Sequence, residues 1–179
     1  MKSHQVKIEF LTDYLQARFT ENAKAELENY ISKGVVKSEE DSWKVLLYED
    51  ENGVYIPSNH IRGALVNAGK EFKIKKQKRS MKQWVISNVV IEPERLYLKK
   101  EQPDKIVTSY PARKDGSRVT LRHPAFIKGT QVEFFLNVLW DDKMETKAIK
   151  DLVEMAGQMY GIGARRADMF GRFKVISFS

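Results

Sequence analysis

Three arginines and three glycines cluster near the end of the chain, in Gly161-Ile162-Gly163-Ala164-Arg165-Arg166-Ala167-Asp168-Met169-Phe170-Gly171-Arg172-Phe173. Glycine permits tight backbone paths and lets backbone N–H groups approach a ligand closely. Arginine presents a planar fork of donors that matches phosphate bidentately. The pattern around the segment runs helix, loop, strand. A dinucleotide fingerprint needs strand, loop, helix, and a P-loop needs Gly-Lys-Ser/Thr, so neither applies. A helix C-cap and tight turn would account for Gly161 alone. Three glycines with three arginines fit an anion-binding loop better, and Gly161, Gly163, Arg165, Arg166, Gly171 and Arg172 are its candidate residues.

A second segment, Ile56-Pro-Ser-Asn-His-Ile-Arg-Gly-Ala-Leu65, opens a helix. Ser58 suits an N-cap, and the anion-attracting helix end lies beside Ser58, Asn59, His60 and Arg62. Gly63 within the helical stripe costs about 1 kcal/mol against Ala, which suggests close backbone packing. The competing reading is a plain capped amphipathic helix. Further cations lie in two blocks. Lys70, Lys73, Lys75, Lys76, Lys78, Arg79 and Lys82 face only Glu71 across 70–82; Arg113, Lys114, Arg118, Arg122 and His123 surround a turn at Asp115-Gly116. Glu39 to Glu51 is acidic. With a net charge of +7, this segregation suits a polyanion's backbone, although lysine runs are often only solvated surface. Tyr110, Phe126, Tyr160 and Phe170 lie near the basic segments and could stack on bases, but aromatics are more often core.

The chain has no cysteine, which removes disulfides, thiolate metal sites and thiol nucleophiles. Its histidines, His4, His60 and His123, have no metal-ligand spacing, and no carboxylate cluster suggests a cation site. No metal and no cofactor are expected. No apolar run spans a bilayer and no apolar signal core opens the chain, so a cytoplasmic location with no membrane partner is expected.

The elements that must position these groups follow from periodicity. Gln5–Leu11 alternates as a strand. Trp43–Tyr48 and Val54–Ile56 flank an Asn52-Gly53 hairpin turn. Ile61, Ala64, Leu65, Ala68 and Phe72 give a helix over 58–72, and a weaker helix is expected over 21–33. Trp84–Ile91 is read as a strand. Short strands are expected near 106–110 and 119–122. Val132, Phe134, Leu136, Val138 and Trp140 share one face of a strand over 131–140. Asp142 and Glu145 cap a helix over 145–160, and 172–178 is the last strand. The order βαββαβ predicts one α+β, ferredoxin-like (RRM-like) domain over 1–179, with two helices on one sheet face and insertions at about 12–57 and 92–130.

The helix start resembles the "IPGSSLKGALR" segment of the CRISPR-associated RAMP superfamily, above all its crRNA-binding backbone subunits, with Ser58 and Asn59 in place of the Gly-Ser step. Gly161-Ile-Gly-Ala-Arg-Arg…Phe-Gly-Arg-Phe173 resembles that superfamily's C-terminal glycine-rich loop. The chain is also similar to small phage and mobile-element proteins with a "GIG…GRF" ending. The resemblance implies binding of single-stranded RNA or ssDNA through the residues named above, including the basic runs, with assembly along the strand as a homo-oligomer or beside RAMP-like subunits. It implies two alternatives. One is a metal-independent endoribonuclease with His60 as acid–base, the sole catalytic candidate in a sequence with no other case for an enzyme. The other is a protein-interaction module that mimics a RAMP subunit through the acidic 39–51 surface.

Overall fold

The computed structural model describes residues 1–18, 25, 42–72, 80–112, 115–140 and 144–179. Most of the helix expected over 21–33 lies outside them, as do Lys73, Lys75, Lys76, Arg79, Arg113, Lys114 and Asp142. The described chain is mixed α+β, with three antiparallel sheets and three α-helices.

The largest sheet holds β1 (Lys2–Phe10), β5 (Val89–Glu92), β9 (Gln131–Val138) and β10 (Phe173–Phe178) in the order β10-β1-β9-β5. Alternation sends Val6, Ile8, Phe10, Val132, Phe134 and Leu136 to one buried face. Gln131, Glu133 and Phe135 take the other. The helices α1 (Ser58–Ala68) and α3 (Thr146–Met155) cover the buried face, α1 over β5 and α3 over β10. Ile61, Ala64 and Leu65 from α1 meet Ile149, Leu152 and Val153 from α3 in one core.

The two remaining sheets come from the expected insertions. Strands β2 (Tyr14–Leu15), β7 (Lys105–Ser109) and β8 (Leu121–Phe126) form one, in the order β2-β8-β7. Strands β3 (Glu49–Asp50), β4 (Gly53–Pro57) and β6 (Arg95–Tyr97) form the other.

Several expectations fail for identifiable reasons. Residues 81–88 are a helix, α2 (Met81–Asn88), and the strand begins only at Val89. Met81, Trp84 and Val85 are buried at i, i+3 and i+4, a helical stripe that the β-favouring run through Ile91 obscured. The first helix stops at Ala68, so Phe72 packs on the core from beyond it. Ser42–Leu46 is a 3-10 turn, not a strand. The hairpin turn is Glu51-Asn52, because Asp50 pairs with Gly53. The third long strand ends at Val138, where the Leu139 N–H turns to the Asn88 carbonyl, and Trp140 is 83% exposed instead of sharing the core face. The last helix closes in a π-helical turn, Ala156–Tyr160.

Adjacent residues of β9 test this assignment of faces. Phe134 is 2% exposed and Phe135 46%. Phe134→Ala should lower the unfolding free energy by about 3–5 kcal/mol. Phe135→Ala should cost less than about 1 kcal/mol. Equal losses in denaturant titration would reverse the facing.

Candidate nucleic-acid interface

The glycine loop is built by close packing. A Cβ at Gly163 would lie 2.3 Å from the Leu15 carbonyl oxygen and 2.5 Å from the Tyr14 ring, and one at Gly171 would lie 1.8 Å from the Ile162 oxygen. The N–H groups of Ile162, Ala164 and Gly171 donate to the carbonyls of Gly171, Leu15 and Asp13. The Ala164 and Gly171 donors hold the loop to Leu15 and Asp13, and the Ile162 donor closes the loop on itself, so these three donors are taken within the protein. Gly161 ends the π-helical turn at φ 65°, where its N–H donates to the Ala156 carbonyl. The glycines position; the charged side chains beside them are what a ligand would meet.

Arg165, Arg166 and Arg172 line one wall of a cleft of about 940 Å³. The lining also includes His60 and Asn67 of α1, Ser109 at the end of β7, Tyr110, and His123 of β8. Asp168 is the one acid in the lining among the described residues, and it accepts from Arg165 Nε at 2.8 Å. Arg172 donates from Nη2 to the Arg166 carbonyl at 3.2 Å. Its Nε and Nη1 are buried with no partner among the described residues. Burial, then the charge of Arg166, holds the Arg172 guanidinium below the usual arginine value. The site is thus electropositive and holds unsatisfied donors.

A buried polar network supports the cleft, and the sequence offered no sign of it. Gln16 is 0% exposed. Its Oε1 accepts from the Tyr48 N–H at 2.7 Å, and its Nε2 donates to the Tyr55 carbonyl at 2.9 Å. Its own carbonyl accepts from His123 Nδ1 at 3.2 Å, which leaves Nε2 to accept from the Ser109 hydroxyl at 3.1 Å. His123 is therefore a strut, not a free cation. Burial lowers its pKa most, with the Arg165 charge adding to the effect against the Gln16 bond.

Other sequence candidates fall elsewhere. Arg62 caps α2, donating from Nη2 to the Ile86 carbonyl at 2.8 Å and from Nε to the Val89 carbonyl at 3.1 Å, and does not line the cleft. Ser58 begins α1 but makes no side-chain cap; its N–H donates to the Glu94 carbonyl. Asn59 is exposed. Arg118 pairs with Ala112 in an isolated bridge, and Arg122 lies on β8 with a buried, unpartnered Nε. Neither lines the cleft.

His60 stands deep in the wall. The Tyr14 hydroxyl and His60 Nδ1 are 3.2 Å apart. Burial, then the Arg166 charge, lowers the His60 pKa to about 4. The ring is neutral at pH 7 and carries no extra proton to donate as an acid. Between pH 6.5 and 4 the unfolded chain binds this proton and the folded chain does not, so stability rises with pH across that window. His60→Asn should remove up to one proton from the slope of unfolding free energy against pH there. An unchanged slope would place the titration elsewhere.

Gly63 falls between His60 and Asn67 on the same face of α1 by helical spacing. A Cβ there would meet nothing within 4 Å, so close packing does not explain this glycine. Gly63→Ala should stabilise the protein by about 0.5–1 kcal/mol. A loss of stability on thermal melting would restore the packing explanation.

No family model matches the chain, and no curated protein matches it in sequence. Solved structures do match. A chain of a type III-B Cmr-beta complex, seen by cryo-EM bound to cognate target RNA, superposes with a TM-score of 0.55 at 17% identity, covering 99% of this chain and 59% of that one. This chain therefore spans little more than half the length of that match. A chain of a type IV-B CRISPR complex superposes with a TM-score of 0.52 at 10% identity, covering 99% of this chain and 90% of that one. The RAMP resemblance read from two motifs and the likeness in three dimensions agree: over nearly its whole length, this chain has the fold of chains found in type III-B and type IV-B CRISPR complexes.

Proposed function

We propose that the protein binds a single strand of nucleic acid, RNA foremost, in the cleft between the glycine loop, α1 and the β7–β8 hairpin. Arg165, Arg166 and Arg172 hold phosphates. The observation that carries this is Arg172, whose two buried donors lack a partner beside a wall with three arginines and one acid. A buried, unsatisfied donor is costly, and a phosphate oxygen is the acceptor suited to a guanidinium fork. We take the four-stranded sheet and its two helical crossovers as ferredoxin-like. The protein acts as a RAMP-type subunit that assembles along its strand in the cytoplasm, with copies of itself or RAMP-like subunits as partners. Lys73, Lys75, Lys76, Arg79, Arg113 and Lys114 extend the contact to the backbone, as do Arg118 and Arg122. Within the site, neutral His60 is a hydrogen-bonding wall.

Fluorescence anisotropy with single-stranded RNA, single-stranded DNA and duplex DNA at several salt concentrations tests this. Each phosphate neutralised on a single strand contributes about −0.7 to the slope of log K against log salt. The three cleft arginines contribute about −2 of that slope, and Arg165→Ala/Arg166→Ala should make it shallower by about 1.4. Absence of single-strand binding at low salt, or an unchanged slope in the double variant, would overturn the proposal.

A further inference from the structure

On the sheet formed by β3, β4 and β6, Tyr55 pairs with Tyr97 and Pro57 with Arg95. Val54, Ile56 and Leu96 turn into the core. Tyr55, Arg95 and Tyr97 therefore share the outer face. Rings run across it in a row. His60 meets Tyr48 edge-on with centroids 5.4 Å apart, Tyr48 tilts against Tyr55 at 5.8 Å, and Tyr55 meets Tyr97 at 6.0 Å. The row starts at His60 in the cleft wall and ends at Tyr97, which is 38% exposed.

Polar contacts fix the outer end. The Arg95 guanidinium lies over the Tyr55 ring, 5.2 Å from its centroid, and is ion-paired with Asp50. The Asp50 carboxylate also accepts from the Tyr97 hydroxyl at 3.0 Å and from the Asn52 N–H at 2.8 Å. The core does not need these rings, because the inner side of the sheet is filled by aliphatic residues. Charge here is acidic, with Arg95 paired to Asp50 while Glu49 and Glu51 of the same hairpin stay exposed, whereas the cleft carries three arginines against one acid among the described residues. Tyr97 also lines a smaller hollow of about 320 Å³ with Lys99 and with Lys7, which is ion-paired to Glu133 at 3.0 Å. The chemistry along this route is cationic in the cleft, then aromatic with an acidic border.

We infer that the tyrosine row is a second surface of the protein, which stacks unpaired bases of the bound strand as it leaves the cleft past His60, with Tyr97 as the outermost platform. This rests on the nucleic-acid reading above. Arginines grip phosphates; aromatic faces take bases regardless of sequence. The exposed acids Glu49 and Glu51 repel the strand's backbone and so leave its bases to face the sheet. The occupant is single-stranded, since paired bases expose no face to stack.

The test uses an oligoadenylate RNA and two versions of equal charge, abasic in the 5′ half or in the 3′ half. Tyr97→Ala should weaken oligoadenylate binding roughly tenfold. Tyr97→Phe, which keeps the ring, should stay within about threefold. The salt slope should not change, because no charge is removed. One of the two half-abasic strands should bind the wild type and Tyr97→Ala alike. A fluorescent adenine analogue in the matching half should be quenched on binding the wild type, a readout that needs no variant. Unaltered oligoadenylate affinity in Tyr97→Ala, equal losses for intact and abasic strands, or no quenching in the wild-type complex would overturn the inference while leaving arginine-dependent binding intact. No binding of any strand by the wild type would overturn both.

Discussion

The Leu15 carbonyl accepts the Ala164 N–H at 2.8 Å, and this bond forms only because residue 163 has no side chain to hold the strands apart. Tyr14, the other surface of that contact, stacks on Phe10 of β1 at 5.1 Å and on Phe126 of β8 at 6.2 Å. One contact thus fastens the loop to the four-stranded sheet and to the smaller β2-β8-β7 sheet. Gly171 lies against Ile162, so the loop also closes on itself. With its backbone fixed at both ends, the loop presents Arg165, Arg166 and Arg172 toward one cleft. A looser loop would spread the same charges over solvent, where each would count for little.

The second constraint is the polar knot at Gln16. Burying an amide and an imidazole costs free energy unless their hydrogen bonds are made. Here they are made: Gln16 reaches Tyr48 and Tyr55 ahead of α1, and its carbonyl takes the His123 proton from β8. The knot therefore joins the connection after β2 to both smaller sheets. It also explains why the cleft's far wall and the tyrosine row keep a fixed relation, since Tyr48 and Tyr55 belong to both the knot and the row.

Alternating strands were legible because their period matches a sheet with one buried face: Val6, Ile8 and Phe10, or Val132, Phe134 and Leu136, admit no other simple placement. The helix at 58 was legible from its stripe, and the arginine loop from its composition. Residues 81–88 were not, because Trp84, Val85 and Ile86 favour strand locally while tertiary burial of Met81, Trp84 and Val85 selects helix. Arg62 shows a different limit. Its position beside an anion-attracting helix start suggested a ligand contact, but the carbonyls ending α2 lie within reach and take its donors. Gln16, Ser109 and Asn67 had no signal, since their roles come from strands and helices meeting across long stretches of chain.

Arg172 connects these constraints to ligand binding. Its backbone N–H donates to Thr12 Oγ1 and its carbonyl accepts from Leu11 and Thr12, which ties its backbone to the segment just after β1. Held there, its guanidinium faces the like charge of Arg166 and keeps two donors unpaired. Both costs fall on the free protein. The anion proposed for this cleft, seated between Arg166 and Arg172, would remove both, by accepting the idle donors and by screening the repulsion. On the proposed reading, the rigid packing of the glycine loop preorganises the cleft for an anion: if the loop could relax, the arginines would satisfy themselves with water and the gain on binding would shrink.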